Sequence, residues 1–412
     1  MTRRRSPVRG LLVGAAVSIA LIGCSSTTPT IGPTGIAGTP GATSVATSNP
    51  PTVGPSATPE ATAAASCAQS VLAGMTEAQR VGQLFMVALD NNTLTSGYRA
   101  AIRTYHLGSL WYHRSTLGTA ALRTVSDQIQ ALATADATAG VGFLISANQE
   151  GGLIQGLSGP GFDTIPSAVI QGTWSTDDLQ ANASTWGDQL ADAGLNVDFA
   201  PVADVVPAGT ASQNAPIGQL KREYGSTVDR VSSHVVAFIS GLHEAGIATV
   251  TKHFPGLGRV EGNTDNTAAV VDDVTTIDDP YLGTFAAAID AGSEYVMISL
   301  ATYTKIDPDH LAAFSPTIMG DLLRNKLGFD GVIMSDTLSA TAVINLTPAV
   351  RAVRFLEAGG DMIVLNPLST AITMAKAVLS RTTSNAAFKA RVDDAALRIL
   401  EAKGDAGLLP CG

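Results

Sequence analysis

Basic charge is scarce in this chain. It has 25 Lys and Arg against 35 Asp and Glu, a formal net charge of −10. Nucleic acid is recognised through a basic footprint on its phosphates, so this balance argues against such a partner. Cysteine is scarcer still, with three in 412 residues, and the six histidines are scattered. No Cys or His cluster has the spacing of a zinc site, so neither a metal nor any other cofactor is expected. No strand-turn-helix carries G-x-G-x-x-G or a P-loop, which leaves a nucleotide-binding fold without support. Between residues 25 and 66 there is no Lys, Arg or aromatic side chain, only a run dominated by Ser, Thr, Pro, Gly and Ala. Such a stretch cannot bury enough apolar surface to offset chain entropy, so residues 24–66 are expected to be a flexible tether.

The remainder is globular in composition, 45% hydrophobic and 15% charged. The first residues carry Arg3, Arg4, Arg5 and Arg9, followed by the apolar run "LLVGAAVSIALIG" and then "LIGC". This resembles a bacterial lipoprotein signal over residues 1–23, with Cys24 lipidated after export. An ordinary signal peptide or an uncleaved anchor is the plainer alternative. Lipidation implies a protein anchored to the outer face of the cell membrane rather than spanning it. Cys67 and Cys411 stand near the two ends of the remaining sequence, residues 67–412. In an oxidising exported compartment they are expected to form a disulfide, the alternative being two free thiols.

From residue 70 onward short apolar runs alternate with longer amphipathic segments. The runs fall at 82–90, 107–115, 141–152, 196–206, 247–256, 295–303, 330–336 and 360–367. They are continuous rather than alternating in hydrophobicity, as strands covered on both faces should be. The segments between them read as helices, most of them ending at Gly. Strand and helix in alternation give a parallel sheet. Eight units over about 300 residues predict one α/β domain, a (β/α)8 TIM barrel, with its site at the C-terminal ends of the strands.

Polar residues stand at those ends: His113 and Arg114, Asn148, Gln149 and Glu150, Asp204, Lys252 and His253. Ser299 and Thr302, Ser335 and Asp336, and Asn366 follow in the later units. All are expected to face one cleft, whose mixed donors and acceptors suit a neutral, hydroxyl-rich ligand such as a sugar. Asp336 ends the apolar strand "GVIMSD". A carboxylate there can attack an anomeric carbon; it can equally be the N-cap of the following segment.

Five motifs occur in order: "NQEGG" with "GPGFDTIPSA", "VDFAPVADV", "NAPIG", "KHFPG", and "SPTIMGDLLRNKLGFDGVIMSD". Together they resemble glycoside hydrolase family 3, in particular its single-domain bacterial β-N-acetylglucosaminidases acting on cell-wall glycans. The resemblance spans roughly residues 70–400 and implies a barrel and retaining hydrolysis; a monomer is expected. It implies Asp336 as nucleophile and Asn148, Arg222, Lys252 and His253 as sugar-holding residues. Five positions depart from the family pattern, one of them Leu153, where the family commonly has an Arg just after the "QEGG" motif. Asn148 stands where the family has Asp, and Leu257 replaces a His in the Gly-rich loop. In the loop after it, the usual Asp-x-His pair becomes Asn263 and Asp265. Asp265 is therefore the candidate acid/base. Two alternatives stay open: a β-glycosidase for sugars without the N-acetyl group, and a catalytically inactive glycan-binding lipoprotein.

Overall fold

The structure, a computed structural model, describes residues 59–411, with side chains from residue 67 onward. The expected signal peptide, Cys24 and the tether as far as residue 58 lie outside the described residues.

Eight parallel strands form the central sheet: β1 (Phe85–Leu89), β2 (Ser109–Tyr112), β3 (Leu144–Ala147) and β4 (Val197–Asp198), then β5 (Ala248–Phe254), β6 (Tyr295–Ile298), β7 (Val332–Ser335) and β8 (Ile363–Leu365). Each pairs with its neighbour in chain order, and β8 pairs with β1 through Phe85↔Ile363. The ring closes between β7 and β8 by a bridge, Met334↔Met362. This is the expected TIM barrel. Strands β1, β2, β3, β6, β7 and β8 are buried along their whole length. That is why the sequence shows continuous apolar runs and no alternation.

Helices cover the outside. In chain order they are α1 (Pro59–Gly74), α2 (Glu77–Gln83), α3 (Ser96–Tyr105), α4 (Thr119–Gln130) and α5 (Thr176–Asp192). Next come α6 (Val228–Glu244), α7 (Gly283–Asp290), α8 (Pro348–Glu357), α9 (Leu368–Ser384) and α10 (Ala386–Asp405). Caps set the ends: Thr227 accepts from the Arg230 N–H, and Thr347 precedes Pro348 at the first helical position. Gly246 follows α6 with φ 71°, where a side chain would be strained. The segment after β6, Thr317–Lys326, is a π-helix where an ordinary helix is expected. Its buried Ile318, Leu322 and Leu323 recur at four and five residues, a spacing that the wider turn keeps on one face.

The expected tether boundary at residue 66 needs correction. Helix α1 starts at Pro59, so residues 59–66 already belong to it. Proline suits a first helical position, and the Ala-rich sequence that follows has high helix propensity. Helix α1 packs on α10 under the N-terminal end of the barrel, around Ala68, Met75, Val141 and Leu400. Cys67 and Cys411 are joined there by a disulfide, S–S 2.06 Å.

Candidate active site

The C-terminal ends of the strands open into a cavity of about 460 Å³. Asn148, Arg222, Lys252, His253, Asp265 and Asp336 all line it. The structure thus brings together every proposed catalytic and sugar-holding residue from five separate parts of the chain.

The floor is an ion-pair network. Arg222 grips Glu150 with two bonds, Nε to Oε2 and Nη2 to Oε1, each 2.8 Å. Lys252 Nζ lies 2.6 Å from Glu150 Oε1 and donates to Asn148 Oδ1 at 2.7 Å. Burial alone would raise the Glu150 pKa, but the adjacent Arg222 and Lys252 hold it down to about 2. Burial lowers the Lys252 pKa, with Glu150 opposing. Asp204 Oδ2 meets His253 Nδ1 at 2.8 Å, and its Oδ1 accepts from the Leu257 N–H at 2.6 Å. This fixes the imidazole with Nε2 toward Arg222 Nη2 at 3.3 Å. In a regular strand Lys252 and His253 would face opposite sides. Here the β5–β6 register shifts between Lys252 and Phe254, and both side chains reach the cavity.

The two candidate catalytic carboxyls come from adjacent backbones. Asp336 follows the last residue of β7, and its Oδ1 accepts from the Thr337 N–H at 2.7 Å. Asp265 sits on the loop after β5. Asn263 Oδ1 accepts the Asp265 N–H at 2.9 Å, a local turn that orients the loop. The Thr341 N–H, in the turn after Asp336, donates to the Asp265 carbonyl at 3.2 Å, and the Ala342 N–H to Thr264 at 3.1 Å. Farther back, Asn214 Nδ2 donates to the carbonyls of Leu257 and Val260, both at 2.7 Å. The carboxyl of Asp265 is still reached by solvent. Enclosure by the cavity walls raises its pKa, and the charge of Asp336 raises it further.

Not every polar strand end faces the cleft, contrary to expectation. Gln149 is buried beneath it, clasping the backbone of Leu157 at 2.9 and 3.1 Å. Ser299 bonds the Tyr303 hydroxyl at 2.9 Å, Ser335 accepts from the Val364 N–H at 3.0 Å, and Thr302 lies in a small separate sheet. The side chains of Gln149, Ser299 and Ser335 satisfy local backbone or hydroxyl groups instead. Glu150 and Asp204 stand behind the lining as supports for Arg222, Lys252 and His253. Trp111, a cavity wall, was not foreseen. Its ring packs 5.8 Å from Phe199 and reads in sequence as ordinary strand core. Among the described residues no group of three or more His, Cys, Asp or Glu is placed to hold a metal.

The fold and sequence have counterparts among known proteins. A β-N-acetylhexosaminidase from Beutenbergia cavernae shares 48% identity, with a TM-score of 0.78 over 80% of this chain and 99% of that one. A curated β-hexosaminidase from Methylococcus capsulatus is 33% identical over 63% of this chain and 77% of its own length. A β-N-acetylglucosaminidase/β-glucosidase from Cellulomonas fimi is 28% identical over 82% of this chain, which matches only 59% of that enzyme. The model of the glycosyl hydrolase family 3 N terminal domain matches residues 76–402, nearly the whole barrel, and with it this chain belongs to glycosyl hydrolase family 3.

Proposed function

We propose that this protein is a retaining, exo-acting β-N-acetylhexosaminidase that releases β-linked N-acetylglucosamine. The observation that carries the reading is the pair of carboxyls, Asp336 and Asp265, on one cavity whose floor is built to hold hydroxyl groups. Asp336 attacks the anomeric carbon, and the bond to the leaving oxygen breaks as Asp265 gives that oxygen a proton. Enclosure and the charge of Asp336 raise the pKa of Asp265, which favours the protonated form that this step needs. In the glycosyl ester the charge of Asp336 is gone, so Asp265 becomes more acidic. It can then take a proton from the water that attacks the anomeric carbon, whose bond to Asp336 breaks and frees the carboxylate. Lys252, Arg222, His253 and Asn148 hold the hydroxyls of the sugar in the cavity.

The likeness to the Beutenbergia β-N-acetylhexosaminidase supports N-acetylglucosamine as the sugar. The likeness to the Cellulomonas β-N-acetylglucosaminidase/β-glucosidase favours a second reading, hydrolysis of plain β-glucosides. Matched nitrophenyl β-N-acetylglucosaminide and β-glucoside assays decide between them. Turnover of neither would leave a glycan-binding protein without activity. A fluorinated glycoside that labels residues 330–336, with no label on Asp336→Asn, is the expected proof of the nucleophile.

The finer reading places a single catalytic domain at the cell envelope, acting as a monomer on cell-wall glycans and anchored by lipid on Cys24. The disulfide between Cys67 and Cys411 fits an oxidising, exported location. A Cys24→Ala protein should leave the membrane fraction or stay unprocessed; unchanged partitioning would refute the anchor.

A further inference from the structure

We infer that Asn148 makes the far edge of the sugar site a seat for an acyl ester, so that the held sugar is taken with its C4 or C6 hydroxyl acylated. This rests on the proposed glycosidase reading and names its substrate class more closely. Asn148 directly follows β3 and Asp336 directly follows β7, four strands apart in a ring of eight. The two residues therefore stand on opposite sides of the cavity that both line. A pyranose with its anomeric carbon at Asp336 turns its opposite edge, C4 and C6, toward Asn148. Its C2 substituent stays beside Asp336.

The amide of Asn148 has one orientation. Lys252 Nζ lies 2.7 Å from Oδ1, and an ammonium only donates, so that atom must be the carbonyl oxygen. Nδ2 is then left for a ligand; among the described residues it has no partner. The neighbouring acceptors are already taken. Glu150 Oε1 receives both Arg222 and Lys252, and Oε2 receives Arg222. The carboxylate of Asp204 draws the proton of His253 onto Nδ1, and the lone pair of Nε2 faces Arg222. This edge thus offers donors and no free acceptor. A hydroxyl placed there can accept, but its own hydrogen finds no oxygen on the wall. An acyl ester has two acceptor oxygens and no hydrogen to place.

The walls around these donors are apolar. Ile154 lies on the short strand that returns over Asn148, whose carbonyl accepts the Gly156 N–H at 2.7 Å. Pro216 and Leu220 belong to the segment that carries Arg222, and the Pro216 carbonyl accepts from Arg222 Nη1 at 2.9 Å. All three line the cavity. Such side chains suit the methyl of an acetyl group. A phosphate or carboxylate in the same place would lose hydration against them.

The test compares nitrophenyl β-N-acetylglucosaminide with its 4-O-acetyl and 6-O-acetyl esters, at mildly acidic pH so that the acetyl group does not migrate. The two esters tell C4 from C6. One of them should exceed the free sugar about tenfold in kcat/KM, the size of one hydrogen bond made without leaving a hydrogen unmet. Asn148→Asp keeps the shape and the contact with Lys252 but turns the donor into an acceptor. It should reverse the ratio in favour of the free hydroxyl. Each ratio is read within one protein, so a change in folded fraction cancels. A wild-type preference for the free sugar, or none, overturns the inference, as does an ester preference that survives Asn148→Asp. If Asn148→Asp instead shifts the ratio of N-acetylglucosaminide to glucoside, the acetamido group occupies this edge and the inference fails. If none of the three substrates is hydrolysed, it is the proposed function that falls. Calorimetric titration of N-acetylglucosamine and its two esters against the protein then decides the edge by affinity.

Discussion

Two lysines are buried at opposite ends of one barrel. Lys252 is 1% exposed and Lys403 is wholly buried. Lys252, at the C-terminal end, has a carboxylate partner in Glu150 and looks into an open cavity. Lys403, on α10 under the N-terminal end, has three neutral partners: Gln83 Oε1 at 2.7 Å and the carbonyls of Gly108 and Gly142 at 2.8 and 2.9 Å. The first ammonium is compensated so that it can serve a ligand. The second ties the last helix to the loops beneath β2 and β3. In this fold one end of each strand carries chemistry and the other carries stability. Substitutions should therefore separate the two ends, one losing turnover without unfolding, the other the reverse.

The largest separation is expected at Asp265. With a poor leaving group, Asp265→Ala should lose about 10³-fold in rate, the range of general acid catalysis. With nitrophenolate, which departs without a proton, the loss should be much smaller, and azide should restore part of it. Its thermal unfolding should stay near that of the wild type, because the side chain is exposed. Equal losses on both substrates would move the proton donor to another residue.

The opposite result is expected at Asp361, which is fully buried at the start of β8. It accepts from Arg324 at 2.6 Å and from the Ile333 N–H at 2.8 Å, and pairs with Arg391 and Arg398. Asp361→Asn strips the charge that three guanidinium groups share. Breaking a buried pair on one side costs about 3 kcal/mol. Denaturant melts should show this loss, while kcat per folded molecule stays unchanged. A stable but inactive Asp361→Asn protein would break the division between the ends.

The barrel was legible because its strands are buried on both faces, so each one appears as a continuous apolar run. Even β4, two residues long, was marked by the apolar sequence around it. The cavity residues were legible because the motifs place them just beyond such runs. Their supports were harder to see. Glu150 reads as one more polar strand end, and only the fold brings it to Arg222, 72 residues away. Lys403 gave no signal at all, since its partners lie 261 to 320 positions away. The helical start at Pro59 was hidden by low-complexity composition, which is as compatible with a helix of Ala as with a coil.

A smaller effect on turnover, again at the upper end, is expected from Lys252→Met. Removing the ammonium takes a donor from the sugar site but leaves Glu150 in its bidentate grip with Arg222. kcat/KM should fall about 100-fold, typical of losing a charged contact made in the transition state. Stability should move by less than about 1 kcal/mol, because the cost of burying the ammonium disappears with its ion pair. A collapse in stability would show that Lys252 is as structural as Lys403.

The smallest effect is the pH response of Lys403 itself. Burial pushes its pKa down from the ordinary 10.5 to about 7. Below pH 7 folded and unfolded chains both carry the proton, and the folded state bears the full cost of a buried charge. Between about pH 7 and 10.5 the unfolded chain holds more protons at this site, so stability must rise with pH there. The slope cannot exceed about 1.4 kcal/mol per pH unit for one group. The three acceptor oxygens work the other way, since a charged ammonium satisfies all three and a neutral amine only two. Lys403→Met isolates the net result, because every other titrating group is common to both proteins. Urea melts at pH 6.5 and pH 9 should show the wild type gaining on the variant as pH rises, with kcat equal in both. A difference that stays flat across this range would mean that the acceptors hold the proton against burial. Lys403 would then be a permanently charged clamp.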